Sequence, residues 1–174
     1  MIAKIRGRQL LVIGTVMIFF LGTLSVQAGT IQIAKGQKVK LRFPAEMKIS
    51  SKDLSAGVPV TCSLEEAIDV GGITVVEAGA LATASVVEVQ PAQKPGKPGY
   101  IKLQFTSLDA KGSYKILGGD NIKLTGNVEA KGKGKKLLSY IFIFGLFIKG
   151  TDAVIPTDQA YPAEVAESVV LESE

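Results

Sequence analysis

The stretch "YIKLQFTSLDAKGSYKIL", Tyr100 to Leu117, decides the fold class. Ile101, Leu103 and Phe105 alternate with Lys102 and Gln104. A period of two places the first set on one face and the second on the other, which is the pattern of a half-buried strand and not of a helix. Asp109-Ala110-Lys111-Gly112 reads as a turn, after which the chain resumes as a second strand.

The same reading extends in both directions. Downstream, "NIKLTGNV" alternates again, with Ile122 and Leu124 on one face. Upstream, "QPAQKPGKPG" (residues 90–99) interrupts the ladder with prolines and glycines and reads as a long hairpin loop. Before it, Leu81 to Val89 is small and β-branched, a long strand. Gly71-Gly72 suits the positive φ of a tight hairpin turn ahead of Ile73, Val75 and Val76. Val58, Val60 and Cys62 alternate, and Ile31, Ile33, Val39, Leu41 and Phe43 do so around Gly36, as an arch or a hairpin. "MKISSKDLSAG" is a polar connection with room for one helical turn. Val154, Ile155, Val165, Val169 and Leu171 return to strand patterning, with Pro156 and Pro162 keeping the pieces short. The expectation is an all-β fold: a small antiparallel barrel or sandwich of short strands in a single β-rich domain over residues 29–174, preceded by an N-terminal signal helix. A strand–turn–strand plan echoes three times, around Gly36, from Val75 and from Val154.

The N-terminus supports export. Lys4, Arg6 and Arg8 precede an apolar run, and Val26-Gln27-Ala28 offers small residues before a cut. This three-part pattern is that of a secretory signal peptide over residues 1–28. Its rival is an uncleaved inner-membrane anchor, since the run approaches the lower limit for spanning a bilayer. The expected home is periplasmic or associated with the outer envelope. The whole chain carries a net charge of +4, and three of its cations sit in that leader, so the high pI is poor support for nucleic-acid binding. Charge is nevertheless uneven. Lysines gather at Lys131, Lys133, Lys135 and Lys136, while Asp152, Asp158, Glu164, Glu167, Glu172 and Glu174 follow Lys149 without another cation. A basic segment beside an acidic tail can pair internally or orient the protein at an anionic surface.

The residues exclude much chemistry. The sequence has no histidine, which removes the commonest general base and zinc ligand. The glycines lack phosphate-loop and dinucleotide spacing. Glu65 and Glu66 are neighbours, which point to opposite faces of a strand and make no ready acid–base pair. Cys62, the single cysteine, excludes an internal disulfide framework and reads as a small buried residue. No platform of aromatic residues interleaved with cations is present for nucleic acid. No catalytic, cofactor-binding or metal-binding residue is assigned, and the chain is read as non-enzymatic and without cofactors.

One plan of motifs is shared with a known family. Ile33-Ala34-Lys35-Gly36, Ser50-Ser51, Val75-Val76-Glu77-Ala78-Gly79-Ala80, Tyr100 to Leu108, and Asp109-Ala110-Lys111-Gly112 with Tyr114 and Ile116 follow one another. Over residues 31–124 this order resembles the β-barrel domain of the TrbI-like family, scaffold proteins of type IV secretion. The resemblance implies a barrel, a hairpin at Asp109–Gly112 and a membrane-directed apolar insertion after it. Glu77 stands where that family has a turn proline, and no functional residue carries over.

The remaining feature is "KGKGKKLLSYIFIFGLFIKG", Lys131 to Gly150. Its apolar part, residues 137–148, would rise about 18 Å as a helix, short of the roughly 30 Å hydrocarbon core of a bilayer. Three readings stand. The stretch is a strand covered on both faces, a surface segment inserting into one leaflet, or a protein interface. Lys133, Lys135, Lys136, Tyr140, Phe142, Phe144 and Phe147 are therefore the candidate contacts with membrane or partner, the partner being another envelope protein or a second copy. The expected role is structural or protein-interacting in the cell envelope. The alternative is a peripheral membrane or ligand-binding β-domain using residues 131–150.

Overall fold

In a computed structural model of the chain, the structure describes residues 29–119, 121–134 and 149–173. The fold is all-β. Six antiparallel strands close into a barrel: β2 (Lys38–Arg42), β4 (Pro59–Leu64), β7 (Leu81–Gln90), β8 (Tyr100–Asp109), β10 (Asn121–Thr125) and β13 (Ala160–Val165). Neighbours run in the order β10-β13-β2-β4-β7-β8, and β8 returns to β10 to close the ring. Closure removes the open edges that a flat sheet would expose.

Alternation fills the interior. Leu41, Val60, Cys62, Leu64, Ala84, Val86, Ile101, Leu103, Phe105, Ile122 and Val165 are all buried. Phe43 stacks on Phe105 with ring centroids 6.2 Å apart and meets the tilted ring of Tyr161 at 5.6 Å. The small residues Ala82 and Ala84 of β7 are buried beside these large ones, Ala84 opposite Phe105 in the ladder, which leaves room for the ring in a narrow barrel. The alternation slips twice along the β7–β8 ladder, between Thr83 and Ala84 and between Val86 and Glu88. Such bulges restore the inward face after an odd residue and sharpen the local twist that closure needs.

The threefold strand–turn–strand echo has a structural meaning. In each copy the first strand lies outside the barrel and the second is a stave. β1 (Thr30–Ile33) pairs with β14 (Val169–Ser173) and leads to β2. β6 (Ile73–Val76) pairs with β5 (Ile68–Val70) and leads to β7. β12 (Val154–Ile155) pairs with β3 (Ile49–Ser50) and leads to β13. The Gly36 segment is thus an arch, because β1 and β2 join different sheets. Gly71-Gly72 makes the expected two-residue hairpin, with Val70 opposite Ile73 and φ of 62° and 84°.

Three expectations are corrected. Asp109–Gly112 turns the chain but does not make a hairpin. β9 (Tyr114–Ile116) leaves β8 and pairs with β14 instead, because the neighbouring place on β8 is taken by β10. The polar connection around Ser50 carries the short strand β3 in place of a helical turn, with Ile49, Ser50 and Ser51 buried. Pro162 does not shorten its strand. It lies within β13 opposite Lys40, where the ladder from β13 to β10 covers only Val165 and Glu164. Past Thr125 the chain kinks at Gly126 and continues as β11 (Asn127–Lys131) along the other half of β8. Pro162 therefore faces a break in the sheet, where no ladder bond needs its missing N–H.

Candidate functional site

The described residues on either side of the candidate contact segment, 132–134 and 149–151, lie together at one place, the neck at the Gln90–Tyr100 end of β7 and β8. Among its named residues only Lys133 is described, and it is exposed. Lys135, Lys136, Tyr140, Phe142, Phe144 and Phe147 lie outside the described residues, as do the three readings of the 137–148 stretch. The ring of six staves closes from the described residues alone.

Two strands of backbone are clasped at the neck. The Lys133 N–H donates to Thr151 Oγ1 at 2.6 Å, and the Thr151 N–H donates to the Lys133 carbonyl at 3.1 Å. The Gly99 N–H donates to the Thr151 carbonyl at 3.0 Å, and the Gly132 N–H donates to the Gly99 carbonyl at 2.9 Å. Residues 132–134 and 149–151 are thereby held together and against the 93–99 loop. That loop is itself closed by reciprocal bonds between Gln93 and Lys97, 3.0 and 2.9 Å.

Glycine makes this proximity possible. A Cβ on Gly99 would lie 2.8 Å from the Ala153 nitrogen, and one on Gly150 would lie 2.5 Å from the Lys97 carbonyl carbon. One on Gly132 would overlap the Thr151 carbonyl. The glycines that punctuate "KGKGKK" and "FIKG" look like a flexible linker in sequence, but Gly132 and Gly150 serve close backbone packing.

Two polar side chains lock the neck from below. The Ser51 N–H donates to the Ala153 carbonyl, and the Ala153 N–H donates to Ser51 Oγ, both at 2.9 Å. The Ala92 N–H donates to Asp152 Oδ1 at 2.8 Å, and Lys149 Nζ lies 3.5 Å from the other Asp152 oxygen. The Ala92 bond, helped by Lys149, holds the Asp152 carboxyl below the usual aspartate range. Sequence reasoning missed Ser51, Thr151 and Asp152 as parts of this site. Their partners lie up to about a hundred residues away, and no local periodicity marks them.

Residues weighed for chemistry are occupied elsewhere. Glu65 pairs with Arg42, and Glu66 Oε1 lies 2.8 Å from Lys40 Nζ, so the two acids serve separate cations on β2. Cys62 is buried with Sγ 3.5 Å from the Ala82 carbonyl, and burial pushes its thiol up to about 12. A groove of about 620 Å³ lies between β9 and the start of β14, lined by Ile116, Leu117 and Val170. Its two charged lining residues, Lys123 and Glu167, pair with each other at 2.9 Å.

No protein-family model, curated protein or solved structure matches this chain. Of what the resemblance to secretion scaffolds implies, the structure shows an antiparallel six-stranded barrel, and no family is identified.

Proposed function

We propose that this chain is an exported, non-enzymatic module with a structural role in the cell envelope, its barrel serving as a mount for the 135–148 segment. The neck carries this reading. A contact element works best when both of its ends are fixed to a preorganised body, because less conformational entropy is then lost on binding. Here the ends are bonded to each other and to the 93–99 loop. The aromatic and aliphatic character of 137–148 supports a role in contact. The similarity in plan to the TrbI-like scaffold family, which places a membrane-directed apolar insertion after the hairpin that Asp109–Gly112 resembles, points the same way. The leader pattern supports a periplasmic or outer-envelope site with the mature chain starting at Gly29.

The test is fractionation of envelopes that carry the parent or the double variant Phe142→Asp/Phe144→Asp. The expected result is that the parent stays with the envelope while the variant is released into the soluble fraction with its circular dichroism and melting temperature unchanged. A folded variant that remains envelope-bound would refute the mount. A second reading, self-association or pairing with another envelope protein through 137–148, is favoured by the interface-like residue types there. A photocrosslinker at Phe144 would then give a discrete protein adduct.

A further inference from the structure

We infer that the neck is an electrostatic contact for an anionic bilayer surface, in which exposed Lys97, Lys131, Lys133 and Lys149 meet phosphate-bearing lipid headgroups. The inference rests on the reading of the barrel as a mount and names the surface that it faces.

Backbone convergence brings the four cations together. Lys131 ends β11, and Lys133 follows two residues later, bonded to Thr151. Lys97 lies in the 93–99 loop with its carbonyl against Gly150, next to Lys149. All four lysines are exposed. The nearby carboxylates already have partners. Asp152 takes the Ala92 N–H and Lys149, Glu129 lies 2.7 Å from Lys102, and Glu88, opposite Lys102 in the ladder, accepts from Gln90 Nε2 at 3.0 Å. Among the described residues, Lys97, Lys131 and Lys133 have no carboxylate partner.

The acidic C-terminal stretch does not cancel this charge. Glu167 pairs with Lys123, while Glu164 stands opposite Lys38 and Glu172 opposite Lys115 in their ladders. Of these acids Glu167 is ion-paired, and Asp152 is the one acid of the C-terminal stretch that pairs with a neck cation, Lys149, among the described residues. Lys97, Lys131 and Lys133 thus leave an excess of positive charge at this pole of the barrel. Such an excess attracts an anionic membrane surface over about a Debye length, and each lysine close to the headgroups adds to the attraction.

Cosedimentation of the purified protein with vesicles tests this. Vesicles of phosphatidylglycerol with phosphatidylcholine should bind it, vesicles of phosphatidylcholine alone should bind it far less, and added salt should weaken the difference. The triple variant Lys97→Gln/Lys131→Gln/Lys133→Gln should lose on the order of 100-fold in partitioning to the anionic vesicles. Its thermal unfolding should match the parent, since all three side chains are exposed. Equal partitioning of parent and triple variant would overturn the inference, as would salt-insensitive binding to both vesicle types, or binding to neither alongside capture of an acidic protein. Phe142→Asp/Phe144→Asp in the same assay separates the two proposals. Loss only in the phenylalanine variant leaves the mount standing and removes the lysine contact. Loss only in the lysine variant keeps the lysine contact and leaves the mount to be decided by the envelope fractionation of the phenylalanine variant.

Discussion

At the Gly71–Gly72 turn both glycines have positive φ, and a Cβ on either would meet nothing within 4 Å. At the neck Gly99, Gly132 and Gly150 carry no such φ, yet a Cβ on any of them would strike backbone. The turn needs glycine for a conformation, and the neck needs it for space. A hairpin turn of the first kind strains locally when altered and leaves its neighbours in place. A packed crossing of the second kind transmits the change to every chain that it holds, here the 93–99 loop, residues 132–134 and residues 149–153.

The largest expected effect lies outside both regions and calibrates them. Phe105→Ala empties the centre of the barrel, where its ring is buried against Phe43. It should cost about 3–5 kcal/mol in denaturant unfolding. Gly132→Ala comes next, at about 1–3 kcal/mol, the usual cost of forcing extra volume into a packed site. Its signature is locality: amide hydrogen exchange should quicken at Thr151 and Gly99 more than at Leu103. If exchange quickens uniformly instead, the neck is not a separate packed unit. Gly72→Ala should cost about 1–2 kcal/mol from left-handed strain alone. Its exchange changes should be confined to β5 and β6. A larger loss there than at Gly132 would reverse the comparison.

These two regions were also unequally legible. Gly71-Gly72 is a dipeptide with a known conformational use, flanked by strand residues, so the turn follows from four letters of sequence. The staves follow from alternation, which burial of Ile101, Leu103 and Phe105 reproduces. Partnership is less visible. Nothing in Tyr114–Ile116 says that it pairs with β14 and not with β8, because an exposed turn is compatible with either and the choice is set by where β10 lies. The neck was nearly invisible. Its glycines have linker-like composition, and Ser51 sits in a stretch read as a polar connection. Their roles depend on bonds to residues 151–153, far along the chain. The aromatic segment stands out in the sequence, while the bonds that join the residues flanking it do not.

The smallest effect concerns the carboxylate beneath the neck. Asp152 has its pKa lowered chiefly by the Ala92 N–H, with Lys149 adding to it. The folded neck therefore favours the ionised acid. That contribution is fully present above the ordinary aspartate value of 3.8 and is lost as the pH falls through the lower folded value. Exchange at Ala92 should consequently be unchanged, after correction for its intrinsic rate, from neutral pH down to about 4 and should quicken below it. The turn at Gly71–Gly72 supplies the control. Asp69 there accepts a bond from Thr74 Oγ1 at 2.7 Å, but that bond lies across exposed strands and does not hold the neck together. Asp152→Asn keeps an oxygen for the Ala92 N–H and removes the charge, so it should flatten the acid response at the neck while leaving β5 and β6 as they were. A neck that loosens at the same pH in Asp152→Asn as in the parent would mean that another group governs it, and that the Ala92–Asp152 bond does not set the acid limit of the neck.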